Sequence, residues 1–195
     1  MKPNTTARRE LRLRLRAVRR GISSEAHCAA SAQAQSHVIA HPSFGAAEQI
    51  ALYRAFDGEV DTAMLTNAAS EQGKRVLHAR ISERHGLDFV EAESWSKTNY
   101  GLPIPNGRTH LLTDKDLLIV PGVGFDNDGY RIGFGGGHYD RLLADCTALP
   151  MGIAFECQRL DSVPRAPWDR PVAALATELG VVEFEHQETP QCMKQ

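Results

Sequence analysis

The stretch LLIVPGVGFDNDGYRIGFGGGHYDRLL, residues 117–143, decides the fold. Leu117 to Pro121 reads as a buried strand that ends in a turn. Gly133, Gly135, Gly136 and Gly137 then form a glycine-rich loop. The helix that follows presents Tyr139, Leu142, Leu143 and Cys146 on one face, at helical spacing. Strand, glycine loop and helix are how α/β proteins hold phosphates, because free backbone N–H groups and the helix N-terminus face the anion. The loop is neither common form. No G-x-x-x-x-G-K-[ST] run exists, and His138 stands where the dinucleotide fingerprint G-x-G-x-x-G needs its last glycine. Arg131 before the loop can clamp phosphate oxygens, and Asp140 in the first helical turn suits a bound Mg²⁺. A plainer reading stays open at this point: Asp140 complements the helix dipole, and the glycines only make a tight turn.

Outward from this stretch, strands alternate with helices. A helix is predicted over 24–40, capped by Ser23 or Ser24 and with Pro42 just past its end. Gln49–Tyr53 is a strand, Asp57-Gly58 a turn, and Asp61–Gln72 a helix stopped by Gly73. Arg75–Ala79 and Leu87–Val90 are strands, and the polar residues 91–115 form a long loop over a site. Further strands lie near Gly152–Phe155, Ala173–Ala176 and Val181–Phe184, and residues 186–195 are a frayed tail. This order predicts a three-layer α/β/α fold with a mostly parallel sheet covered on both faces.

The chain has 195 residues and a net charge of −2, which suits one domain and gives no global field for nucleic acid. Residues 8–20 nevertheless hold seven arginines and one glutamate. Such a segment could be a transit peptide or a nucleic-acid arm. The stripe Leu11, Leu15 and Val18 argues instead for a helix docked on the core. Cys28, Cys146, Cys157 and Cys192 lack metal-ligand spacing and read as reduced thiols of a cytoplasmic protein. No apolar run approaches the roughly 18 residues of a membrane span.

Residues 116–141 resemble the signature of the 5-formyltetrahydrofolate cyclo-ligase family, whose members are also called methenyltetrahydrofolate synthetases. Asp116, Pro121, Gly122, Phe125, Asp126, Gly129, Arg131, Gly133, Gly135, Gly137, Tyr139, Asp140 and Arg141 match its pattern. The likeness spans nearly the whole chain, including Ile50–Thr62, the basic helix 8–20 and Val163–Gly180. It implies the fold shared with ribose-phosphate isomerases and CoA transferases. It also implies ATP-dependent conversion of 5-formyltetrahydrofolate to 5,10-methenyltetrahydrofolate, with ATP and Mg²⁺ as cofactors and a monomer without nucleic-acid or membrane partners.

The resemblance assigns ATP to Arg8, Arg12, Arg131, Gly133, Phe134, Gly135, Gly136, Gly137, His138 and Tyr139. It assigns the folate to Arg54, Glu59 and Tyr100, with Gly135, Gly136, Gly137 and His138 shared. It assigns the metal to Asp140 and Asp169. It gives no general base. From the residues alone, Arg54 and Glu59 also read as solvated loop charges, Tyr100 as a surface residue, and Asp169 as a partner of Arg165 or Arg170. Asp126-Asn127-Asp128-Gly129 reads as a turn, since it lacks the 12-residue calcium pattern. The chain departs from the family where Arg8 replaces Lys, His138 replaces Tyr, Ala173 replaces an acid and Ile104 replaces Glu. Two other classes remain at this stage: a sugar-phosphate isomerase or CoA-transferase-type enzyme that needs no ATP, and a nucleic-acid binder using the basic helix.

Overall fold

The computed structural model describes residues 5–82, 86–98 and 103–185. Helices α1 (Thr5–Arg20), α2 (Ser24–Ala40) and α3 (Pro42–Ala46) precede β1 (Gln49–Leu52), α4 (Ala63–Glu71) and β2 (Arg75–Ile81). Then come β3 (Leu87–Lys97), β4 (Pro103–His110), β5 (Leu117–Val120), β6 (Gly124–Asp126) and β7 (Arg131–Ile132). The chain continues through α5 (His138–Asp145), β8 (Leu149–Ile153), β9 (Arg159–Leu160), β10 (Ala174–Thr177) and β11 (Gly180–Glu183).

One eight-stranded sheet runs β11-β10-β8-β5-β1-β2-β3-β4. Its five inner strands, β10 to β2, are parallel, and β11, β3 and β4 join antiparallel at the edges. Every residue of β1, β5 and β10 is buried, as expected of parallel strands covered on both faces. Ile50, Leu52, Leu117 and Ile119 pack towards Ala34, Val38, Leu65 and Ala69 of α2 and α4. Ala51, Leu77, Leu118 and Val120 face the other way, where Tyr139, Leu142, Leu143 and Cys146 of the α5 segment cover them. This is the expected layered α/β/α architecture, and the helix face read from residues 139–146 is the one that packs.

Three expectations need correction. Residues 91–115 are not one long loop, because β3 runs to Lys97 and pairs with β4 in an antiparallel ribbon. The end of β3 is largely exposed, so no apolar alternation marks it. Pro103 and Pro105 sit on the edge strand, where a missing N–H is tolerated. Second, β6 and β7 stand between β5 and the glycine loop and pair with β9 in a separate three-stranded sheet. Third, Val18 is 45% exposed. The inner edge of α1 is Arg8, Leu15 and Arg19, not a purely apolar stripe. Residues 186–195, including Cys192, lie outside the described residues; Cys28, Cys146 and Cys157 are free thiols. Among the described residues no helix is long and apolar enough to cross a membrane.

Candidate active-site cleft

A cleft of about 760 Å³ opens at the carboxyl ends of β1, β2 and β5, where open α/β sheets place their ligands. Three segments build one wall: the Tyr53–Glu59 loop after β1, the glycine loop before α5, and the inner edge of α1. Residues of β2, β3 and β4 add to the lining, through Ala79, Ile81, Leu87, Ile104 and Pro105.

The glycine loop takes a shape that other residues resist. Gly135 has φ +109 and Gly137, the N-cap of α5, has φ +65. A side chain at either position would be strained. Arg12 closes over this loop, with its Nε donating to the Gly133 carbonyl at 2.6 Å. Arg12 therefore ties α1 to the loop, although the sequence places it off the docking stripe. Burial, then the neighbouring Arg8, lowers its guanidinium pKa.

Each of the two aspartates carries an arginine. Asp169 accepts from Arg8 Nη1 at 2.8 Å and Nη2 at 3.4 Å, and from the Ala166 N–H at 2.7 Å. The sequence offered Arg165 or Arg170 as its partners. Arg165 instead pairs with Asp126 and Asp128, and the Arg170 guanidinium donates to the Pro167 and Asp169 carbonyls rather than to the Asp169 carboxylate. Asp140 accepts from buried Arg131 at 2.8 Å, while the other terminal nitrogen of Arg131 donates to the Arg170 carbonyl at 2.9 Å. Arg131 also lies over the Tyr139 ring, 5.9 Å from its centroid. The Tyr139 hydroxyl is buried with no hydrogen-bond partner among the described residues, so a ligand that reached it would relieve an unmet hydrogen bond.

Asp140 and Asp169 both line the cleft. Among the described residues no third acid, histidine or cysteine completes a protein metal cage. Two carboxylates without a cage suit Mg²⁺, which keeps waters and shares phosphate oxygens. Five arginines against three acids line the space (Arg8, Arg12, Arg54, Arg80 and Arg131 against Glu59, Asp140 and Asp169). That balance favours a polyanion.

Glu59 is buried, and its Oε2 accepts from the Phe56 N–H at 3.0 Å. Burial pushes its carboxyl up to about 7, against the Phe56 N–H and Arg19, which favour the anion. The turn before it carries Asp57 at φ +55. The Asp57 carboxylate takes Arg16 at 2.7 Å, Arg19 at 3.2 Å and Arg20 as well. Burial opposes its ionisation, but the bonds from Arg16 and Arg20 hold its pKa below the usual carboxylate range. Phe134 of the glycine loop lies under Arg16 and Arg19 and beside Phe56. Asp57 thus pins α1 to the turn that presents Glu59.

Arg54 stacks over Trp95, 4.8 Å from its centroid, and reaches both this cleft and a second hollow lined by Asp61, Thr66 and His78. Every described residue that the sequence proposed as a ligand lines the main cleft; Tyr100 lies outside the described residues. The Asp126–Gly129 segment is a turn, with Asp126 Oδ1 accepting from the Asp128 and Tyr130 N–H groups. Sequence reasoning missed Phe56, Arg80 and Trp168. The first two carry no motif, and Trp168 was legible only as the neighbour of Asp169.

The model of the 5-formyltetrahydrofolate cyclo-ligase family matches residues 4–178. The chain belongs to this family. The 5-formyltetrahydrofolate cyclo-ligase of Haemophilus influenzae is 32% identical over 182 residues, 87% of this chain and 96% of the relative. That of Escherichia coli K12 is 32% identical over 183 residues, covering 87% of this chain and all of the relative. The solved 5,10-methenyltetrahydrofolate synthetase of Aquifex aeolicus superposes with a TM-score of 0.81 at 30% identity. That match covers 96% of this chain and 99% of the other. The cleft is where this cyclo-ligase-family chain gathers its glycine loop, its arginines and its buried glutamate.

Proposed function

We propose that this protein converts 5-formyltetrahydrofolate to 5,10-methenyltetrahydrofolate, consuming ATP and releasing ADP and phosphate. The family match over residues 4–178 carries the reading, and the net positive cleft supports it. The terminal phosphoryl group of ATP passes to the formyl oxygen, and ADP leaves. The amine N10 attacks the formyl carbon, phosphate departs with that oxygen, and N10 gives up its proton as the ring closes. The protein's part is positioning and charge neutralisation. Arg8, Arg12 and the N–H groups of Gly133–Tyr139 bind the phosphates. Arg54 and Glu59 orient the pterin, whose N–H donors match a carboxylate. Asp140 and Asp169 would hold Mg²⁺, which when bound supplies neutralisation of the charge on the phosphates.

The basic helix supports this reading over a nucleic-acid arm. Arg16, Arg19 and Arg20 are spent on Asp57, and Arg8 and Arg12 line the cleft that the ATP phosphates would enter. We read residues 1–195 as one domain, a cytoplasmic monomer acting on small molecules.

An absorbance assay for the methenyl product tests the proposal. Product should form with ATP and Mg²⁺ and should be absent when ATP is removed or EDTA added. Full turnover without nucleotide would overturn the ATP requirement. Arg12→Ala should raise the apparent ATP constant on the order of tenfold or more, because a charge-assisted bond is worth about 1.5–3 kcal/mol. Steady-state kinetics at fixed folate would measure it, and an unchanged ATP constant would remove Arg12 from the phosphate site.

A further inference from the structure

We infer that Trp168 is the stacking platform for the purine base of the nucleotide. The inference rests on the proposed ATP dependence and assigns the part of the nucleotide that the glycine loop and arginines leave unrecognised. Among the described residues, three large aromatic side chains that line the cleft are exposed: Phe56, Phe134 and Trp168. Phe56 and Phe134 are paired, with ring centroids 6.4 Å apart, and Phe134 also carries Arg16 and Arg19. Trp168 is 59% exposed, and among the described residues no ring or cation stacks on it. An indole face left open at a cleft is a surface on which a base can stack.

Its backbone is fixed even though its ring is open. The Asp169 N–H donates to the Ala166 carbonyl at 3.0 Å. The Ala166 N–H donates back to the Asp169 carboxylate at 2.7 Å. Arg8 holds that same carboxylate from α1. The turn is closed at both ends, so the indole is held out over the cleft at low entropic cost on binding. Its chain neighbour Asp169 holds Arg8, which lines the same space with Arg12 and the glycine loop. A base stacked on Trp168 would leave its phosphates on the side of the cleft that carries these cations. Trp95, in contrast, already packs between Arg54 and His78, on the side assigned to the folate.

The chain has two tryptophans, so Trp95→Phe leaves Trp168 as the sole indole fluorophore. In that background ATP should quench the emission, while inorganic tripolyphosphate should bind, as calorimetry reads it, without quenching. Trp168→Ala should weaken ATP binding about ten- to a hundredfold, the range of one base–aromatic stack. It should leave the tripolyphosphate constant and the melting temperature unchanged, and Trp168→Phe should recover part of the loss. Absence of quenching, or equal loss of ATP and tripolyphosphate binding, would overturn the stacking assignment. No binding of ATP to the parent protein by calorimetry would sink the proposed function itself, and the assignment with it.

Discussion

Glu59→Gln should leave the protein more stable than the parent at pH 8 and no more stable at pH 4. The carboxyl is raised from 4.5 to about 7, chiefly by burial. Its folded pKa lies above its unfolded one, so the fold favours the protonated form. That stability is present in full below about pH 4.5 and is withdrawn as pH rises through 7. Each pKa unit corresponds to about 1.4 kcal/mol, so ionised Glu59 costs the free protein on the order of 3 kcal/mol. Glutamine keeps the shape and can still accept from the Phe56 N–H, but never ionises. Urea midpoints at the two pH values would measure the difference; an equal gain or loss at both would show that Glu59 does not ionise at that cost.

The same substitution should weaken 5-formyltetrahydrofolate binding about ten- to a hundredfold while leaving the ATP constant nearly intact, because it removes charge assistance from bonds to the pterin. A destabilised group retained at a ligand site is the expected exchange of stability for function. In the parent, the folate constant should rise below pH 7, where binding must first expel a proton. If the ATP constant moves and the folate constant does not, Glu59 serves the nucleotide.

The parallel core was readable because its strands are continuously apolar, as in Leu117–Val120, and because Tyr139, Leu142 and Leu143 keep a helical period. Helix α2 was readable from its cap, Ser23, whose side chain accepts from the Ala26 N–H. The β3–β4 ribbon beyond Val90 was not, since the end of β3 is exposed and has no apolar alternation to read. Nor was the buried edge of α1. Whether an arginine is solvated or buried depends on a partner carboxylate, and Asp57 and Asp169 are far from it in sequence. The ligand-facing loops were legible through one long residue pattern rather than through periodicity. Trp168 was not, because an exposed aromatic looks like ordinary surface until the cleft beside it is known.

Arg8→Ala should lower the melting temperature by roughly 10 °C. The Asp169 side chain is 2% exposed, and Arg8 reaches it with both terminal nitrogens. Without Arg8, a buried carboxylate keeps the Ala166 N–H but loses its ion-pair partner. Breaking such a pair costs about 3–5 kcal/mol, far more than the intact pair contributes. In a domain of this size each kcal/mol is worth about 2–4 °C. Arg8→Lys should lose much less. It restores the residue that the family pattern carries and keeps the charge, but a point charge replaces a planar fork. Mg²⁺ with ADP should return part of the stability lost in Arg8→Ala, because a cation held by Asp169 would replace the missing guanidinium; it should return less to Arg8→Lys. Differential scanning calorimetry of the three proteins, with and without Mg²⁺ and ADP, would measure both effects. An Arg8→Ala protein that melts within a degree or two of the parent would mean that Asp169 is hydrated rather than paired. A deficit that Mg²⁺ and ADP leave untouched would remove Asp169 from the metal site while leaving its structural pairing with Arg8 in place.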